Sequence, residues 1–217
     1  MPLQDPQLAV EELKRCVNEL GFPGVQIGTH VNDWNLDAPE LAPFWQAVHD
    51  LDACIFVHPW DMRSGPRYAR HWFPWLLDMP NETAMAVASM LMGGVYDKWP
   101  NLRVCFAHGG GAAVQILGRI EHGFKARPDL CQTATTTPPS HAIRKIWVDS
   151  LVHDQDVLRL IMSKIGPERI ILGSDYPFPL GEVPVPGRLI ESCESFDKAT
   201  KSALLYDNAA KFLKLLH

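Results

Sequence analysis

The 217-residue chain has no C-x-x-C pair, no internal repeat and no excess of basic residues. Nor does any apolar run approach the roughly 20 residues needed to span a bilayer. Each absence removes a class. The five cysteines, Cys16, Cys54, Cys105, Cys131 and Cys193, lack paired metal-site spacing. Cys54 and Cys105 fall inside expected strands, where reduced thiols pack as small apolar groups, so a reducing, cytoplasmic setting is expected. Twenty Lys and Arg against 25 Asp and Glu give a formal net charge of −5. That argues against a nucleic-acid partner, whose phosphates require a basic surface. The amino end, Met1-Pro2-Leu3-Gln4-Asp5-Pro6, lacks the charged-then-apolar order of a secretion signal. The expectation is a soluble chain with no membrane contact.

What is present is ordinary globular material, 47% hydrophobic and 21% charged. It suits one core, and residues 1–217 are expected to form a single domain. Asp5-Pro6 reads as an N-cap and first-turn proline. Val10, Leu13, Val17 and Leu20 follow at helical spacing, and Gly21 closes the helix. Further along, strands are expected at Val25–Gly28, before His58, at Leu102–His108, Ile143–Asp149 and Arg169–Gly173. Helices are expected at about Pro39–Leu51, from Pro80 to Gly93, Ala112–Gly123, Gln155–Ile165 and Asn208–Leu216. Met62–Met79, rich in Trp, Arg and Pro, reads as a long loop with short helical pieces. Alternating strands and helices imply a parallel sheet. Five β/α units fit either an open doubly wound sheet or the last five units of a (β/α)8 barrel.

Three apolar runs end on groups that can bind metal or move protons. They are Cys54-Ile55-Phe56-Val57-His58, Val104-Cys105-Phe106-Ala107-His108 and Ile170-Ile171-Leu172-Gly173-Ser174-Asp175. Adjacent parallel strands lie about 4.8 Å apart, so side chains at their ends can converge on one divalent metal such as zinc. An isolated histidine is commonly a satisfied core residue; the repeated strand-exit position favours function for His58 and His108. His108 precedes Gly109-Gly110-Gly111, which leaves it reachable and suits it to general acid/base work. Asp175 could be a turn cap, but with histidines on earlier strands it reads as an oxygen ligand. Arg119 is a candidate anion clamp against the alternative of an exposed helix charge. The Trp60, Trp72 and Trp75 cluster reads as packing with some capacity to shape a pocket, and Trp60 is the one assigned to substrate. His30, His49, His71, His122, His141, His153 and His217 have no partner at ligand spacing.

At these residues the chain resembles the aminocarboxymuconate semialdehyde decarboxylases, within the amidohydrolase-like metal-dependent decarboxylase family. The likeness is carried by Gly21–His30, Phe56–Met62, Phe106–Gly111, Asp149–Asp154 and, most specifically, Gly173-Ser174-Asp175-Tyr176-Pro177-Phe178-Pro179-Leu180-Gly181-Glu182. It implies a TIM-type (β/α)8 barrel and a zinc-dependent, non-oxidative decarboxylation in tryptophan catabolism that diverts a semialdehyde from quinolinate toward picolinate. It also implies zinc held by an H-x-H pair together with His58 and Asp175, His108 as the acid/base, and a homodimer in which Arg119 reaches the neighbouring subunit's substrate.

The chain departs from that pattern in two places. No H-x-H occurs in it, and the first three barrel units that would carry such a pair are expected to be missing. The stretch Ala113-Val114-Gln115-Ile116 stands where an aromatic, proline-containing one is expected. Three accounts remain: an incomplete form of the decarboxylase; a catalytically inactive short form that pairs with full-length subunits; and a related metal-dependent hydrolase.

Overall fold

The alternation of short apolar stretches with amphipathic ones becomes a parallel sheet flanked by helices in the computed structural model, which describes residues 1–63 and 65–215. The strands are β1 (Gly24–Ile27), the small antiparallel pair β2 (His30–Val31) and β3 (Trp34–Asn35), β4 (Cys54–Val57), β5 (Arg103–Phe106), β6 (Trp147–Asp149) and β7 (Ile170–Ile171). In the five-stranded sheet the order is β1-β4-β5-β6-β7, so spatial order follows chain order. A doubly wound sheet reverses direction at a switch point; this one never does. It therefore has the winding of part of a barrel, which settles the choice that unit counting left open.

The two-residue period of the strands sorts their side chains. Ile55, Val57, Val104, Phe106, Val148 and Ile170 belong to the main core with Phe44, Trp45, Val48, Met90, Leu117, Leu158 and Ile161 from the helices. Cys54, Cys105, Trp147 and Ile171 form a separate buried group closed by Phe212 near the carboxyl end. The two cysteines are thus packing residues, and burial pushes both thiols up from their ordinary values. Register pairs Cys54 with Arg103 and Phe56 with Cys105 across β4 and β5.

Local chemistry sets the helix boundaries. Asp5 caps Pro6–Lys14 by accepting from the Gln7 and Leu8 amides at 3.1 and 3.2 Å. Asp154 caps Gln155–Ile165 in the same way, and Gly166 ends that helix at φ +113°. The helices Ala42–Asp50, Met79–Met92 and Ala113–Ala126 complete the outer layer. No described helix is long and apolar enough to cross a membrane.

Two expectations change, one element is new, and one expected boundary lies outside the described residues. Leu20 is exposed, because the first helix relaxes into a wide turn over Arg15–Glu19. Ile143–Lys145 is a tight helical turn and β6 begins only at Trp147; a short apolar run cannot distinguish a buried turn from a strand. The β2–β3 hairpin was not foreseen. The last helix is described as Asn208–Phe212, and the expected end at Leu216, like His217, lies outside the described residues.

Candidate metal and acid/base site

His58 directly follows β4, His108 stands two residues past β5, and Asp175 lies four residues past β7. All three therefore leave the carboxyl edge of one parallel sheet, where barrel enzymes place their chemistry. A ligand atom from each lies within 4.8 Å of the others, the His58–His108–Asp175 group. His58 Nε2 and His108 Nε2 are both 3.7 Å from the same oxygen, Asp175 Oδ1. The two imidazoles meet edge-on, with centroids 5.0 Å apart and planes at 76°. All three side chains are partly buried, at 27%, 15% and 14% exposure.

The donor set fits a divalent cation. His58 Nδ1 is 2.9 Å from the Pro59 carbonyl oxygen. As Nδ1–H donates there, the Nε2 lone pair is left facing the site, as metal-binding histidines arrange it. Burial, then the charge of His108, hold the His58 imidazole below its ordinary value, against the pull of Asp175. The neutral, metal-binding form is thereby favoured. His108 and Asp175 have positive φ, at 57° and 50°. Such backbone costs free energy for residues with a Cβ and concentrates at functional sites.

Two cavities meet at this group. One, of about 430 Å³, is lined by Trp75, Met79, Gln115, Val157, Leu180 and others, with His108 and Asp175 in its wall. The second, of about 460 Å³, includes His58, His108, Asp149 and Asp175.

Trp60 and Arg119 lie outside these walls. Trp60 is 58% exposed; its indole lies over Gly28, where a Cβ would come within 2.6 Å, and stacks toward His30. Trp75 lines the first cavity, so the aromatic wall comes from a tryptophan read mainly as packing. Arg119 is exposed on the helix Ala113–Ala126. Gln115, within the stretch flagged as unusual, lines the same cavity as Trp75.

Asp149 has a larger place here than as the end of an expected strand. It is buried at the exit of β6, between the strands that deliver His108 and Asp175. Burial pushes its carboxyl up, opposed by His108 and by the amides of Gly109, His108 and Leu151. The strand-exit rule that singled out His58 applies to it equally, since Trp147-Val148-Asp149 is also an apolar run ending on a ligand-type residue.

Known proteins resemble this chain in sequence and in fold. The amidohydrolase family model Amidohydro_2 matches residues 1–215. The chain is 50% identical over 215 residues to a 2-amino-3-carboxymuconate-6-semialdehyde decarboxylase of Dictyostelium discoideum, covering 99% of this chain and 60% of that protein. It is 39% identical to the Caenorhabditis elegans protein of the same name, covering 94% of this chain and 58% of that one. The chain thus spans about 60% of the length of these relatives. Among solved structures, a dihydroxybenzoic acid decarboxylase from Polaromonas sp. JS666 with bound manganese and the inhibitor 2-nitroresorcinol matches with TM-score 0.83 at 26% identity. That match covers 99% of this chain and 68% of the other. A 5-carboxyvanillate decarboxylase from Sphingomonas paucimobilis shares the fold, with TM-score 0.83 at 22% identity over 98% of this chain and 64% of that one.

Proposed function

The chain belongs to the amidohydrolase family, and from that premise we propose that it serves a metal-dependent, non-oxidative decarboxylation of a small conjugated carboxylate. The favoured substrate is 2-amino-3-carboxymuconate-6-semialdehyde, handled in tryptophan catabolism, and the favoured metal is zinc. The observation that carries this reading is the convergence of His58, His108 and Asp175 beside a largely apolar cavity. The His58 imidazole and the Asp175 carboxylate are donor types that catalytic zinc uses, and the His108 imidazole stands beside them for proton transfer.

His58 and Asp175 would hold the cation. Bound there, zinc supplies Lewis acidity near neutral pH. The chain's own groups do the rest. Trp75 and the apolar wall accept the conjugated body of the substrate and exclude water. When the carbon–carboxylate bond breaks, carbon dioxide leaves and the electron pair stays on the substrate carbon. That carbon then needs a proton, and His108 can deliver it from Nε2, the ring nitrogen nearest Asp175. Arg119, exposed and absent from both cavity walls, suits a carboxylate clamp in a neighbouring subunit of a homodimer, or in a full-length partner subunit.

The exposed Trp72, Leu76, Leu77, Met85 and Ile116 favour such a subunit contact. They equally serve a second reading, a catalytically inactive form that pairs with complete subunits. The test is metal content and decarboxylase turnover of the purified chain, alone and mixed with a full-length relative. Zinc bound, with turnover in either preparation that falls on His108→Gln, supports the enzyme. Stable pairing without added turnover supports the inactive partner. Turnover of simple esters or amides instead of the semialdehyde would replace both with a hydrolase.

A further inference from the structure

Asp149 and Ser150 are buried polar residues to which the chemistry above gives no role, at 4% and 3% exposure. Asp149 ends β6, the strand between the one that delivers His108 and the one that delivers Asp175, and Ser150 follows it. Asp149 Oδ1 accepts from the Gly109 amide at 2.9 Å and from the Leu151 amide at 3.1 Å. Gly109 adjoins His108, and both have left-handed backbone. On the other side, Ser150 Oγ accepts from the Gly173 amide at 3.3 Å. A Cβ on Gly173 would come within 2.7 Å of the Asp149 carboxylate, so the absence of a side chain there is what admits Asp149.

We propose that Asp149 is a positioning residue that fixes the His108–Gly109 turn, and that with Ser150 it braces the His108 and Asp175 segments against each other. The physical reason is the cost of the turn. An imidazole on a left-handed residue is held in place only if the surroundings over-determine that backbone. A buried carboxylate receiving two amides does so, because losing it would strand those donors in a dry interior. Among the described residues β6 is the only strand adjacent to both β5 and β7, so a tie made from its end spans the site by the shortest route. Neither residue lines the apolar cavity of Trp75; their action passes through His108 and Asp175. The brace rests on the site reading above for its purpose, but not for its geometry.

The experiment is amide exchange and ring-signal NMR on the labelled, metal-free chain, with His108 assigned against His108→Gln. Asp149→Asn keeps an acceptor oxygen and should hold Gly109 protection within about threefold, with His108 ring signals little moved. Asp149→Ala should speed Gly109 exchange by about tenfold or more and shift the His108 ring, while β4 amides stay protected. Ser150→Ala should affect the Gly173 amide alone. If Asp149→Ala does not fold, Asp149→Ser, which is too short to reach both amides, replaces it. Unchanged Gly109 and His108 signals in the Ala or Ser variant would overturn the proposal. So would an even loss of protection across the sheet, which marks general support. Zinc titration follows, with about a tenfold weaker affinity expected for Asp149→Ala. A chain that binds no zinc would defeat the proposed function and leave the NMR result to decide the brace.

Discussion

His58 and Asp175 leave different strands, separated in the sheet by β5 and β6, yet His58 Nε2 lies 3.7 Å from Asp175 Oδ1. Asp175 sits in the loop four residues past β7, and His108 Nε2, from a strand between theirs, lies 3.7 Å from the same oxygen. That shared oxygen makes the trio one site.

Removing a donor should therefore cost metal affinity more than removing a supporting group. His58→Ala or Asp175→Ala is expected to weaken zinc binding beyond the roughly 10–100-fold typical of an outer hydrogen-bond partner. Isothermal titration with zinc and with manganese reads this directly. Retained affinity in either variant would mean the cation sits elsewhere.

His58 also predicts a pH dependence for the metal-free chain. Its folded value is held below the ordinary one, first by burial and next by His108. The unfolded chain therefore takes up this proton at higher pH than the folded one, and folding favours neutral imidazole. The stabilisation is complete above the unfolded value near 6.5 and is lost as pH falls through the lowered folded value. Urea unfolding at about pH 7.5 and about pH 5.5 should show lower stability at the acid end. His58→Gln should flatten that difference.

Gly111 offers a structural test close to the site. Its backbone lies at φ 61°, ψ −133°, a region open in practice to glycine. A Cβ there would also come within 2.3 Å of the Pro80 carbonyl oxygen. Gly111→Ala should destabilise by about 3 kcal/mol or more, from strain plus displacement of the helix Met79–Met92. A thermal midpoint close to that of the unaltered chain would refute the close approach.

The sheet makes a prediction about association. β1 and β7 each pair on one side only, and unpaired strand edges recruit other chains. The purified chain should associate with rising concentration, as sedimentation velocity would report. Val25→Lys, on β1, should reduce that association by placing a charge on the edge strand. A monomer at all concentrations would show the edges to be covered.

The core carries an ordinary cost. Leu158 is fully buried on Gln155–Ile165, and Leu158→Ala should cost about 2–5 kcal/mol by denaturant unfolding.

The β/α alternation was legible in the sequence because burial imposes it residue by residue. Apolar runs at Cys54–Val57 and Val104–Phe106, bounded by Pro59 and Gly109, fit buried strands at that length, and Asp5 and Asp154 mark helix starts through local hydrogen bonds. The strand-exit rule also exposed His58, His108 and Asp175, since delivering a polar group at the end of an apolar run is a one-dimensional signal. The β2–β3 hairpin was invisible because two-residue strands have no period to detect. The turn at Ile143–Lys145 passed for strand because apolar character alone does not fix backbone angles.

Sequence by itself determined the five sheet strands in outline, the buried face of the main helices and the residues that wait at the strand ends. These follow from local propensity and from the removal of apolar area from water. Only the tertiary structure decided that the strands run in chain order, that Trp75 rather than Trp60 walls the cavity, and that Asp149 ties Gly109 while Gly173 makes room for it. Those facts depend on contacts between residues far apart in the chain, and no local pattern encodes a distance.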